Sequence, residues 1–308
     1  MTFPMQAGAA PLASASETPP IRLRYEVELA YDVRGPGCDF IFNVQAARTP
    51  RQRVVWESLS LSQPLDRRED VDPRSASRHL RVRAQAGELV LQYAAVVDVI
   101  HHVQPPQAIP EMWLPQLPAE VLPYLYPSRY CESDRLNTYA MAQFGTLWQG
   151  YGRVQAISDW VRQHVRFESG SSNGMTSAAE TLVHRRGVCR DFAHLMIAMC
   201  RAVNIPARFT TGLDYGADPI LGPPDFHAYV EAYVGGRWYL FDPSGTAIPM
   251  GFVRLTSGRD AADSAYASIF GNVQPLRRRL QIEAQPGVDG VLREPWRTGD
   301  ALSTDDGP

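Results

Sequence analysis

The chain has 308 residues, enough for one large or two ordinary domains with their own cores, and its formal net charge of −3 excludes a broad basic face for nucleic acid. No run of eighteen apolar residues occurs, so no segment is expected to span or partner a membrane. The four cysteines, at 38, 131, 189 and 200, lack the close spacing of a disulfide framework, which fits a reducing, cytoplasmic setting with one working thiol and three small buried side chains. Cys189 and Cys200 would lie about 16 Å apart along one helix, too far to pair.

Residues 1–20 are rich in Ala, Ser and Pro without a basic segment ahead of an apolar core, and read as a disordered tail rather than a signal peptide. From Ile21 the apolar residues Ile21, Leu23, Tyr25, Val27, Leu29, Tyr31 and Val33 alternate with charged ones, the pattern of a half-buried strand. Strand-like runs follow over 39–44, 53–61, 79–84 and 88–100 with no helical pattern between them. An antiparallel β-sandwich over 21–103 is therefore expected. The run Gln104-Pro105-Pro106-Gln107-Ala108-Ile109-Pro110 can continue neither helix nor central strand, and it opens a linker and helical segment over 104–150.

A catalytic core is expected over 151–285. Helices are predicted over 134–144 and 154–164. Ser177-Ala178-Ala179-Glu180 matches a capping box and starts a short helix, with Gly187 as its C-terminal stop. Then comes Gly187-Val188-Cys189-Arg190-Asp191-Phe192-Ala193-His194-Leu195, which heads an apolar helix running to Asn204-Ile205-Pro206. Cys189 falls in its first turn, where unpaired N–H groups and the helix dipole favour a thiolate.

A strand over 208–213 leads into a loop through Asp218-Pro219 and Gly222-Pro223-Pro224, whose prolines would stiffen the approach to His227. From His227 the chain reads strand, Gly235-Gly236 turn, strand, ending at Asp242-Pro243. With that turn, Val234 faces Arg237 and Tyr229 faces Asp242. His227 then lies diagonal to Asp242 on the same sheet face, within reach of a side-chain hydrogen bond. A closing strand is predicted over 278–284, and 286–308 reads as a polar, disordered tail.

Cys189, His227 and Asp242 supply a thiolate, an imidazole to carry its proton and a carboxylate to fix the ring's tautomer. Singly, a cysteine at a helix start or a histidine on a strand is most often structural; the conjunction is what points to catalysis. His194 sits about 140° round the helix from Cys189 and is expected to be buried and hydrogen-bonded. His184 is expected to cap carbonyls at a helix end, and Asp191 to answer the helix dipole. Cys189, His194 and His227 show no tight ligand spacing, so neither a metal nor another cofactor is expected.

Gly187-Val188-Cys189-Arg190-Asp191-Phe192-Ala193-His194-Leu195, Gly212-Leu213, His227-Ala228-Tyr229-Val230-Glu231 and Trp238-Tyr239-Leu240-Phe241-Asp242-Pro243, in that order, resemble the transglutaminase-like superfamily. The likeness is to its bacterial members, often described as cysteine proteases, and Tyr126–Cys131 and Gly258–Asp263 also look like that subfamily. The resemblance implies an α+β fold: a papain-like, transglutaminase-like core, its nucleophile helix packed on an antiparallel sheet, preceded by a β-sandwich domain. It implies a Cys189-His227-Asp242 triad and acyl transfer through a thioester, with the backbone N–H of Cys189 as one oxyanion donor. Where animal transglutaminases place a tryptophan donor this chain has Val165-Arg166-Phe167, and Phe offers no polar hydrogen; nor is there an acidic calcium loop. Hydrolysis of peptide or isopeptide bonds in a peptide or protein substrate is therefore favoured. Amine transfer to form cross-links is the alternative within the fold, and a non-catalytic scaffold that binds a peptide is the alternative outside it. Tyr229, Tyr233 and Trp238 share the triad's predicted face, as groove lining or as packing.

Overall fold

The computed structural model describes residues 15–216 and 224–305. The first fourteen residues of the expected N-terminal tail and most of the proline-bearing loop before His227, including Asp218-Pro219 and Gly222-Pro223, lie outside that range.

The alternation from Ile21 folds as expected, into one strand, Ile21–Val33, with Ile21, Leu23, Tyr25, Val27 and Leu29 buried. It pairs residue for residue with Gly87–Val99, so that Arg22 faces Asp98 and binds its carboxylate at 2.7 Å on the outer face. Gln52–Leu61 extends this sheet on one side. A second sheet pairs Cys38–Phe42 with Arg78–Ala84 and then Arg67–Val71, a strand whose charged sequence RREDV hides it from apolar periodicity. Inner faces of the two sheets share one core. In it Phe40 and Phe42 stack with ring centroids 5.0 Å apart, each burial contributing about 1.5–3 kcal/mol.

The sandwich is not finished by residue 103. Ala267–Phe270 pairs with Cys38–Phe42, and Val273–Gln285 pairs with Ile21–Val33 along most of its length. The strand expected to close the catalytic core thus completes the N-terminal sandwich, and the expected core boundary at 285 is corrected to the end of Phe252–Gly258. The tail assignments need correction too. Ser16–Glu17 and Ala301–Ser303 both pair with His102–Gln104, and Ala301 and Leu302 are buried. Asp305, just beyond, accepts from Arg208 at 2.5 Å and lies 3.3 Å from Arg254. Those two buried arginines also hold the fully buried Glu231, so the C-terminal segment shares an ion network with the central sheet.

Among the described residues four α-helices follow the linker: α1 Ser133–Phe144, α2 Tyr151–His164, α3 Ala178–His184 and α4 Cys189–Ala202. Ser177 caps α3 with Glu180 in the predicted box. The helix stops at Arg185, in the left-handed region at φ 54°, and not at Gly187. Gly187 serves close packing instead: a Cβ there would come 2.6 Å from that of Asp191. Residues Asp191 to Ala202 of α4 are all buried, between a four-stranded antiparallel sheet and the other helices. That sheet runs Arg237–Phe241, His227–Val234, Ala207–Asp214, Phe252–Gly258. No helix among the described residues is long and apolar enough to cross a membrane.

Candidate active site

Cys189 is the first residue of α4 and is half-buried, whereas Cys38, Cys131 and Cys200 are buried. Burial pushes the thiols of Cys131 and Cys200 up to about 12 and also raises that of Cys38, so those three are withheld from chemistry. The start of α4 is fixed by Asp191, whose carboxylate accepts from the Val188 backbone N–H at 2.8 Å and from the Ser172 hydroxyl. Asp191 is therefore the N-terminal anion expected of it.

The two flanking motifs converge on this helix. Arg201, buried near its end, donates to the carbonyls of Tyr126 (3.1 Å) and Ala207 (3.0 Å) and to that of Arg259. The Tyr130 N–H donates to Asp260, and the Ala261 N–H donates to His194 Nε2 at 3.1 Å. His194 also stacks on Tyr130, with centroids 5.0 Å apart, and burial pulls its pKa well below the ordinary value, so it stays a neutral acceptor. It is buried and hydrogen-bonded, as expected. His184 ends α3 and is exposed.

The hairpin has the expected register. Gly235 and Gly236 take positive φ (59° and 78°), the turn that matches strand twist, and Val234 pairs with Arg237. His227 Nε2 lies 3.3 Å from Asp242 Oδ1, and the Asp242 side chain is only 3% exposed. Asp242 also accepts from the Ser244 N–H (3.0 Å), the Ser244 hydroxyl (2.6 Å) and the Ala247 N–H (3.0 Å). Burial alone would raise its pKa; His227 and these donors reverse that and hold it below the usual carboxylate range.

A second carboxylate, absent from the sequence-based set, reaches the same ring: Asp214 Oδ2 lies 3.4 Å from His227 Nδ1. Burial works to lower the pKa of His227, but Asp214, Cys189 and Asp242 outweigh it and push the imidazole well above its ordinary value. Asp214 could have been flagged in the sequence as a charge ending an otherwise buried strand next to the histidine strand.

Cys189, His227 and Asp214 border one cavity of about 670 Å³. Phe167 lines it from the segment that pairs with Arg186–Gly187, and Arg278 reaches it from the sandwich strand Val273–Gln285. Both domains thus build the cleft. Tyr229, Tyr233 and Trp238 do not line it: all three are buried, Tyr229 against Phe252 and Tyr233 against Trp238.

Comparison with known proteins gives this arrangement a family. Residues 139–243 match the core of the transglutaminase-like superfamily, and residues 21–119 match the N-terminal domain of bacterial transglutaminase. The crystal structure of a "putative cysteine protease" from Cytophaga hutchinsonii is 37% identical, superimposes with a TM-score of 0.86, and is covered over 94% of this chain and 99% of its own. An "uncharacterized protein" of Mycobacterium leprae is 32% identical over 117 residues, 36% of this chain and 42% of that protein. One from Mycobacterium tuberculosis is 27% identical over 183 residues, 55% of each. The chain spans about half the length of these curated relatives. With the core and the N-terminal domain both matched, and a relative aligned along nearly its whole length, the chain belongs to the transglutaminase-like superfamily, among members with a bacterial N-terminal β-domain.

Proposed function

We propose that the protein is a cysteine peptidase or amidase, hydrolysing peptide or isopeptide bonds with Cys189 as nucleophile, His227 as acid and base, and Asp242 as the group that orients the ring. One observation carries this reading: an imidazole bonded to a buried carboxylate borders the same cavity as the one half-buried thiol. The Cys189 thiolate adds to an amide carbonyl, and the C–S bond forms as the carbonyl π electrons move onto oxygen. The backbone N–H of Cys189, which has no acceptor within its own helix, can donate to that oxyanion. Collapse of the intermediate breaks the C–N bond, and His227 gives its proton to the departing amine. Water then attacks the thioester, losing a proton to His227, and releases the acid and the sulfur.

Hydrolysis is favoured over amine transfer because the cavity wall beside Cys189 carries Phe167, which has no polar hydrogen for a second oxyanion bond. The dispersed, buried cysteines also accord with a cytoplasmic site of action. The test is a peptide library incubated with the wild type and Cys189→Ala, read by mass spectrometry with and without a labelled primary amine. Cleavage that needs Cys189 and incorporates no amine supports the proposal. Stable amine incorporation replaces it with transamidation, and a thiol at 189 no more reactive than Cys38, Cys131 or Cys200 replaces it with a binding scaffold.

A further inference from the structure

Triad chemistry needs one carboxylate on the imidazole, and His227 has two. Asp242 takes Nε2 at 3.3 Å, which leaves Nδ1 for exchange with sulfur and leaving group, yet Asp214 stands 3.4 Å from that nitrogen. Both acid side chains are 3% exposed. The placement follows from strand register: Gly212 faces His227 across the pair, and Asp214, two residues on, shares that sheet face. Asp214 also borders the cavity with Cys189.

We propose that Asp214 is a positioning residue for His227: with Asp242 it clamps the imidazolium at both nitrogens, fixes the ring at the cavity edge and keeps it charged in the resting enzyme. The inference rests on the reading of His227 as the acid and base. Charge balance supports it. Around the ring stand Cys189 from α4, Asp214 and Asp242, with the edge of Tyr229 at 4.7 Å between centroids. Asp225, the other nearby acid, is paired with Arg278 at 2.6 Å, and Arg190 is engaged by Asp191. His227 is thus the cation that neutralises Asp214. A buried carboxylate without a cation is costly, so Asp214 ionises while His227 is still charged. Burial pushes the Asp214 carboxyl up to about 6, with the charge of His227 pulling it down and that of Asp242 adding to the rise.

The test is an NMR titration of the histidine rings in the full chain, with His227→Gln to assign the signal. In the wild type the His227 ring should stay protonated above the ordinary histidine range and show a separate inflection near pH 6 as Asp214 ionises. Asp214→Asn should lower the ring's midpoint by about one pH unit or more, and Asp214→Glu should restore most of it. A purely structural Asp214 would move neither quantity. If the Asn variant does not fold, the wild-type inflection decides. Absence of that inflection, or an unmoved midpoint in a folded Asn variant, overturns the proposal. Peptide cleavage plays no part in this readout: a chain with linked titrations and no hydrolysis loses the hydrolase reading alone, and a hydrolase with an unlinked ring loses only the role of Asp214.

Discussion

His227 reaches Asp242 along a diagonal of the hairpin, two residues from the position directly opposite, and the contact is held at 3.3 Å by an acid that three further donors keep in place. Because Asp242 accepts four hydrogen bonds, its orientation does not depend on the ring it serves. Asp242→Asn keeps the shape but replaces one acceptor oxygen by a donor and removes the charge facing the imidazolium. Turnover should fall by on the order of 10³ to 10⁴, with stability lowered by about 1–3 kcal/mol. Steady-state kinetics and urea unfolding on the same preparation measure both; an active Asn variant would remove Asp242 from the mechanism.

Cys189 is half-buried at a helix start, so truncating its thiol removes little packing. Cys189→Ala should therefore leave the unfolding midpoint within about 0.5 kcal/mol of wild type while activity drops by on the order of 10⁴ to 10⁶. Loss of activity accompanied by unfolding would mark the thiol as structural.

Gly212 faces His227 and is pressed against the next strand. A Cβ there would lie 2.1 Å from the Val253 carbonyl oxygen and 2.3 Å from the Phe252 ring. Since the backbone carbonyl cannot swing aside as a flexible side chain could, Gly212→Ala should cost about 1–3 kcal/mol or more. Equilibrium unfolding compared with Gly299→Ala, where a Cβ meets open space, isolates the clash.

The folded-state pKa of His227 is raised, so its link to stability has a definite sign. Its contribution is fully present below the unfolded value of about 6.5 and is lost as pH rises through the folded value. Between pH 6 and pH 9 the wild type should lose unfolding free energy relative to His227→Gln. Denaturant midpoints across that range measure the difference, and parallel curves would show that the ring does not gain a proton on folding.

Glu231, fully buried, is shared by Arg208 and Arg254, which also meet Asp305. Glu231→Ala leaves two buried guanidinium groups to share the partly exposed Asp305 and should cost about 3–5 kcal/mol. Removing residues 299–308 takes away Asp305 and the Ala301–Ser303 strand, and should lower the thermal midpoint while leaving Glu231 to hold both arginines. Calorimetry on the two variants ranks the effects; a larger loss on truncation than in Glu231→Ala would mean that the terminal segment, more than Glu231, neutralises the network.

Local chemistry was enough to determine several features of this protein. Alternation alone gave the strand Ile21–Val33. Ser177 with Glu180 set the start of α3, and the apolar run behind Cys189 set α4. The Gly235-Gly236 turn fixed a register that brings His227 to Asp242, since period-two geometry propagates from the turn along both strands. Tertiary structure decided the rest. Val273–Gln285 lies more than two hundred residues from Ile21–Val33, and nothing in its polar sequence names that edge as its partner. The tail through Asp305 is placed by its pairing with His102–Gln104, by burial of Ala301 and Leu302 and by two buried arginines, all of them features of distant segments. Asp214 meets His227 because the Ala207–Asp214 strand is laid beside the histidine strand, and it carries charge there because folding strips both groups of water. Strand periodicity is written within a few residues, whereas the choice of partner edge and the desolvation of a charge exist only once distant segments have been brought together.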